Sequence, residues 1–134
     1  MARIAASSDQ SPPPAGPYSP SARIGQVVAA AGQAGFTADG VLREGVAAQT
    51  RQALANIMAN LGANGAGEQD IISVRVFLTD PVQFDEMNAE YKSFFSEPYP
   101  ARTTVYVGLP EGMLVEIDAL AVIGGAEGDE GAVA

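Results

Sequence analysis

The chain contains no cysteine, no histidine and no tryptophan, and only seven of its 134 residues are Lys or Arg. Each absence removes a class of chemistry. Without cysteine there is no disulfide, no thiolate nucleophile and no zinc–thiolate site. Without histidine there is no imidazole base, no imidazole metal ligand and no Ser-His triad. Any catalysis must rest on Arg, Lys, Asp, Glu, Tyr, Ser or Thr. The cations (Arg3, Arg23, Arg43, Arg51, Arg75, Lys92 and Arg102) are scattered, and sixteen acids bring the formal charge to −9. Nucleic-acid binders draw affinity from clustered cations that neutralise phosphates. Binding to RNA, DNA or an anionic membrane is therefore not expected. Long apolar runs are missing too. The stretch from Val27 to Ala31 is far short of the roughly 20 residues that span a bilayer, and residues 1–15 lack the apolar centre of a signal peptide. The expected setting is the cytoplasm.

Hydrophobic residues make up 47% of the chain, which suits one globular domain burying roughly two thirds of its unfolded surface. Residues 1–15 are polar and end in three prolines, which predicts a loose extended arm. Gly16-Pro17-Tyr18-Ser19-Pro20 reads as a defined loop. Two short strands follow around Gly25-Gln26, then loop to Gly45. From Val46 to Leu61 the residues Val46, Thr50, Ala53, Leu54, Ile57, Met58 and Leu61 fall on one helical stripe, with Gly62 as the expected C-cap. Ile71 to Leu78 alternates as a strand. Gln83 to Phe95 is a second helix, with Phe84, Met87, Asn88, Tyr91 and Phe95 on its apolar face. Arg102 to Gly108 and Leu114 to Ile123 are strands joined by a short turn. Residues 125–134 are small or acidic and read as a disordered tail, leaving 16–124 as the domain.

The order β-β-α-β-α-β-β predicts a two-layer α+β fold with both helices on one face of a mixed sheet. Val115, Ile117, Ala119, Ala121 and Ile123 suit the helical side. The other side is half-apolar with nothing left to cover it, which points to a symmetric homo-oligomer.

Arg102 and Glu116 stand out as chemistry-bearing residues. If their strands pair as antiparallel neighbours, the two share the non-helical face. A guanidinium matches a carboxylate in two hydrogen bonds, and a nearby carboxylate can activate water. The same spacing equally allows a plain cross-strand ion pair. Asn88 either satisfies a buried backbone group or lines an interfacial pocket. Tyr18 is either a packed aromatic or a phenol reaching a site. Gly32-Gln33 either permits a turn or lets a ligand approach the backbone. No phosphate loop, dinucleotide fingerprint or metal-ligand cluster is present.

Pro100-Ala101-Arg102-Thr103-Thr104-Val105, followed by Leu114-Val115-Glu116-Ile117-Asp118-Ala119, resembles the signature of the RidA/YjgF/UK114 family. Gly16-Pro17-Tyr18-Ser19-Pro20, Gly32-Gln33 and Phe84-Asp85-Glu86-Met87-Asn88 with Tyr91 and Phe94-Phe95 extend the resemblance from about Ala15 to Ile123. It implies a chorismate-mutase-like homotrimer with clefts between subunits, in which active members hydrolyse 2-aminoacrylate-type enamines and imines to 2-keto acids and ammonia. Carried over, Arg102 grips the substrate carboxylate and Glu116 orients and helps deprotonate water. The backbone of Thr104 contacts the reacting centre, and Tyr18, Gly32 and Asn88 line the cleft. No cofactor or metal is implied. The chain departs from the family pattern at Ala31, where many members carry Ser, and at the turn Gly108-Leu109-Pro110, which is one residue shorter. A non-catalytic carboxylate-binding module is the alternative that these departures leave open. Ribonuclease or translation-inhibitor activity is disfavoured by the acidic charge and the missing histidine.

Overall fold

The helix that starts at Val46 runs one residue past Gly62. In a computed structural model that describes residues 1–124, helix α1 runs Val46–Ala63 and buries Val46, Thr50, Ala53, Leu54, Ile57 and Leu61. The expected cap at Gly62 is displaced to Gly65, whose φ of 89° only glycine adopts without strain. Ala66 N donates to Leu61 O and Gly65 N to Gly62 O, both at 3.0 Å, which closes the helix as a Schellman motif. The expectation for residues 125–134 lies outside the described residues.

Six strands form one sheet: β1 (Ile4–Ala6), β2 (Ser21–Ile24), β3 (Val27–Ala34), β4 (Ile71–Leu78), β5 (Ala101–Tyr106) and β6 (Val115–Val122), in the order β1-β2-β3-β6-β4-β5. Among the described residues only β4 and β5 pair in parallel, so the sheet is mixed as expected. The second helix, α2 (Phe84–Phe94), is the crossover that a parallel pair requires. It is entered through a short 3-10 turn at Pro81–Gln83, whose Asp80 side chain accepts from Val82 N. α1 likewise joins β3 to β4, both of which run antiparallel to β6.

This order corrects two expectations. First, β5 and β6 are not neighbours. The turn between them is short, but the crossover through α2 seats β5 on the outer edge of β4, and β6 inserts between β4 and β3. Second, the arm over residues 1–15 is extended but not loose. Ile4–Ala6 adds a strand at the sheet edge, and Ser11 is buried against α1, donating to Asn60 Oδ1 at 2.7 Å.

Both helices cover one face. Val28, Ala30, Val74, Val76, Leu78, Val115, Ile117, Ala119 and Ala121 from the sheet meet the α1 stripe and Met87, Tyr91 and Phe95. A register shift between Ile71 and Ser73 gives Ile71 the core position that simple alternation assigns to Ile72, which is exposed. On α1 and at its C-cap, Gln49, Asn56, Asn60 and Asn64 are buried carboxamides, each tied to a different segment. Gln49 holds Arg43 O, Gly112 O and Leu114 N; Asn56 holds Phe36 O; Asn64 holds Ser21 Oγ. The opposite sheet face has no covering layer among the described residues and exposes Val27, Ile72, Val105 and Leu120.

Candidate active site

Cross-strand register decides where each candidate side chain stands. Arg102 pairs with Val74, and Val74 points into the core beneath the helices. Arg102 therefore faces the helical side. Glu116 pairs with Phe77 on the other side of the sheet. The expectation that Arg102 and Glu116 share one face of one chain is thus corrected. They lie on opposite faces, with β4 between their strands, and the plain cross-strand ion pair is removed with it.

Arg102 is built into a half-site with α2. Its Nη1 donates to Asn88 Oδ1 at 2.8 Å, and its guanidinium lies 4.6 Å from the Tyr91 ring centroid and 5.7 Å from that of Phe84. Asn88 can reach it because it is one helical turn past Phe84 and just under one turn before Tyr91. No carboxylate pairs with Arg102 among the described residues. The cation rests on rings and an amide, with its charge uncompensated. Beside it opens a cleft of about 500 Å³ lined by Asn88, Tyr91, Lys92, Glu97, Tyr99 and Arg102. Burial pushes the Tyr91 phenol up to about 12, with Arg102 pulling the other way. Thr104 follows Arg102 on the same face, and its Oγ1 is buried without a hydrogen-bond partner.

Glu116 belongs to a second half-site. The β3 ladder is interrupted between Ala30 and Gln33, and this bulge brings the backbone of Gly32 against the Glu116 carboxylate. A Cβ on Gly32 would stand 2.5 Å from Glu116 Oε2, so a side chain there would push the carboxylate out of this position. Ala31 N donates to Pro20 O at 2.9 Å, which ties the Tyr18 loop to the same bulge. Tyr18 itself is exposed, and its hydroxyl accepts from Ala15 N at 3.2 Å. Burial raises the Glu116 carboxyl above the usual carboxylate range, and the charge of Asp118 raises it further. No cation pairs with Glu116 among the described residues.

The structure thus gathers Arg102, Asn88 and Thr104 in one place and Glu116, Gly32 and the Tyr18 loop in another. Two features escaped the sequence. Tyr91 serves as a plate under Arg102 as well as a core residue. Arg75 and Asp118, read as the polar members of alternating strands, form a bidentate pair on the open face. Among the described residues no group of three carboxylates could hold a metal ion, and no helix is long and apolar enough to cross a membrane.

Comparison with known proteins matches this arrangement of elements. Residues 8–123 fit the family described as Endoribonuclease L-PSP. The chain is 37% identical over 119 residues to the 2-iminobutanoate/2-iminopropanoate deaminase of Salmonella typhimurium, covering 85% of this chain and 93% of that protein. It superposes on RidA from the Antarctic bacterium Psychrobacter sp. with a TM-score of 0.86 and 38% identity, over 90% of this chain and 99% of that one. It superposes on Escherichia coli TdcF with bound serine with a TM-score of 0.85 and 35% identity, over 89% and 98% of the two chains. With its α+β sheet, two helices and near-complete coverage, the chain belongs to the Endoribonuclease L-PSP family, the RidA/YjgF family of the sequence resemblance.

Proposed function

We propose that the protein is a cofactor-independent deaminase of 2-imino acids and their 2-aminoacrylate-type enamines, acting as a homotrimer with its clefts between subunits. One observation carries this reading: Arg102 and Glu116 are both uncompensated charges, and a single chain holds them on opposite faces of its sheet. A cleft containing both needs two copies, and the uncovered apolar face supplies the surface on which copies pack. The imine deaminase and the serine-bound structure among the relatives support a small carboxylate-bearing substrate.

In such a cleft Arg102 takes the substrate carboxylate in its fork, aligned by Asn88 and Tyr91. The backbone of Thr104 stands at the reacting centre, and Gly32 and Tyr18 close the far wall. Glu116 accepts a proton from water as the water oxygen bonds to the imine carbon. The nitrogen takes up the C=N electron pair and the proton that Glu116 accepted, forming a carbinolamine. The carbinolamine hydroxyl then passes its proton through Glu116 to the nitrogen as the keto C=O forms, the C–N bond breaks and ammonia leaves. A base with raised proton affinity suits this step, because general-base efficiency rises as the pKa approaches the working pH.

The binding-module reading has one observation in its favour, the absent hydroxyl at Ala31 in the bulge beside Glu116. A ribonuclease reading is opposed by the −9 charge and the scattered cations.

Subunit mixing tests the proposal. Arg102→Ala and Glu116→Gln chains, each inactive on imines generated in situ, are unfolded together and reassembled. With shared clefts, random mixing restores about a quarter of the sites, those taking Glu116 from one variant and Arg102 from the other. Mixed assemblies that stay inactive would refute the shared site, and a parent protein that binds pyruvate without turnover would leave the binding module. Light scattering that finds a stable monomer would remove the trimer.

A further inference from the structure

Among the described residues the open face of the sheet carries three charged side chains on its strands, and their pairing is selective. Strand alternation places Arg75, Glu116 and Asp118 there; the rest of the face is Ser, Thr or apolar. Arg75 stands directly across from Asp118, and Glu116 directly across from Phe77. Arg75 is therefore the diagonal neighbour of Glu116, and diagonal positions lie about 7–8 Å apart, within reach of a long side chain. The guanidinium nevertheless goes to Asp118. Its Nε donates to Oδ1 at 3.0 Å and Oδ2 at 3.2 Å, and its Nη2 donates to Oδ2 at 2.7 Å. It lies 5.7 Å from the centroid of Phe77, the residue opposite Glu116.

We propose that Asp118 is a positioning residue that holds Arg75 in a bidentate grip and so keeps the neighbouring Glu116 carboxylate unpaired for its role as base. The proposal rests on the reading of Glu116 as that base and deepens it. A grip by both edges of the guanidinium fixes direction as well as charge. Without it, Arg75 has one other carboxylate on this face among the described residues, Glu116. An arginine pairing with that carboxylate would stabilise its charged form and leave a poor proton acceptor. Across the proposed cleft, Arg102 of a second copy faces Glu116 in every variant and cancels from the comparison.

The signs follow directly. Asp118→Asn removes a like charge that raises the Glu116 carboxyl and frees the cation, and both lower its proton affinity. Arg75→Gln leaves Asp118 unshielded and raises it. In the double variant the freed cation is gone, so Glu116 moves back up from its position in Asp118→Asn.

The test follows the Glu116 side-chain carboxyl carbon by NMR against pH in the assembled protein. Chains carry 13C-labelled glutamate, and Glu116→Gln supplies the assignment. The acid limb of imine turnover is measured on the same samples. Expected are a downward shift of about one pH unit or more in Asp118→Asn, an upward shift in Arg75→Gln, and a partial return in the double variant. The turnover limb moves the same way. Two results would overturn the proposal: Glu116 titrating alike in Asp118→Asn and the double variant, or Arg75→Gln failing to raise it. Should Asp118→Asn not assemble, the Arg75→Gln arm decides alone. The titration does not depend on turnover, so a parent with these shifts but no imine hydrolysis would sink the deaminase reading and spare the positioning one.

Discussion

Asn88 makes the one side-chain hydrogen bond that Arg102 has among the described residues, at 2.8 Å from Nη1 to Oδ1. Replacing Asn88 with alanine isolates the worth of that contact. Hydrogen bonds to charged groups contribute about 1.5–3 kcal/mol, or about tenfold to hundredfold in an equilibrium constant. The rings of Tyr91 and Phe84 still support the guanidinium plane, so the loss of affinity for a small carboxylate such as pyruvate should sit nearer tenfold. Asn88→Asp provides the contrast. It keeps the shape and the acceptor but sets a negative charge against Arg102. At about 4 Å and an effective dielectric of about 20 that attraction is roughly 4 kcal/mol, larger than the bond being replaced. Affinity should therefore fall in the order parent, Asn88→Ala, Asn88→Asp. Calorimetric titration with pyruvate measures it. Melting separates binding from folding, because alanine is a better helix former than asparagine and α2 should not loosen. If Asn88→Ala binds within about twofold of the parent, or Asn88→Asp binds as well as Asn88→Ala, Arg102 is not the clamp that the half-site implies.

Glu116→Gln should slow imine turnover by about 10²–10⁴-fold while keeping pyruvate binding. It should also raise thermal stability at neutral pH. The folded chain holds the Glu116 proton more tightly than the unfolded chain, so the ionised carboxylate costs stability above its raised pKa, and the gap should close as pH falls below it; a gap that widens on acidification would contradict the shift. Gly32→Ala would place a methyl on the Glu116 carboxylate and should abolish turnover with little loss of stability, checked by paired activity and melting curves. Gly65→Ala should destabilise by about 1–2 kcal/mol through its left-handed backbone, measured by urea unfolding, with site chemistry untouched.

What could be seen in the sequence was whatever periodicity controls. The stripe of Val46, Leu54, Ile57 and Leu61 and the alternation of Val115, Ile117 and Ala119 each report burial on one side, and the structure buries them there. Arg102 and Asn88 were legible as separate candidates, Arg102 as a guanidinium at the start of a strand and Asn88 as a polar residue on the apolar face of its helix. The face of Arg102 was not legible. Period-2 alternation says which residues of a strand share a side, but not which side is covered; that depends on neighbours, and the crossover through α2 places β4 between β5 and β6. The docking of the arm was hidden for a related reason. Ser11 and Asn60 are ordinary polar residues until the fold brings them to 2.7 Å.

The carboxamides along α1 separate two properties that are often entangled. The segments carrying the arm, β2, the Phe36 loop and the Gly112 turn are fastened largely by neutral amides, whereas the half-sites depend on net charge at Arg102 and Glu116. Dissolved ions weaken interactions between exposed charges over about 10 Å at 0.1 M, yet they have little to screen in a buried amide contact. Raising ionic strength should therefore reduce the attraction of a carboxylate to Arg102 long before it loosens the scaffold. Salt becomes a dial on the charged groups, in a molecule whose amide fastenings scarcely register it.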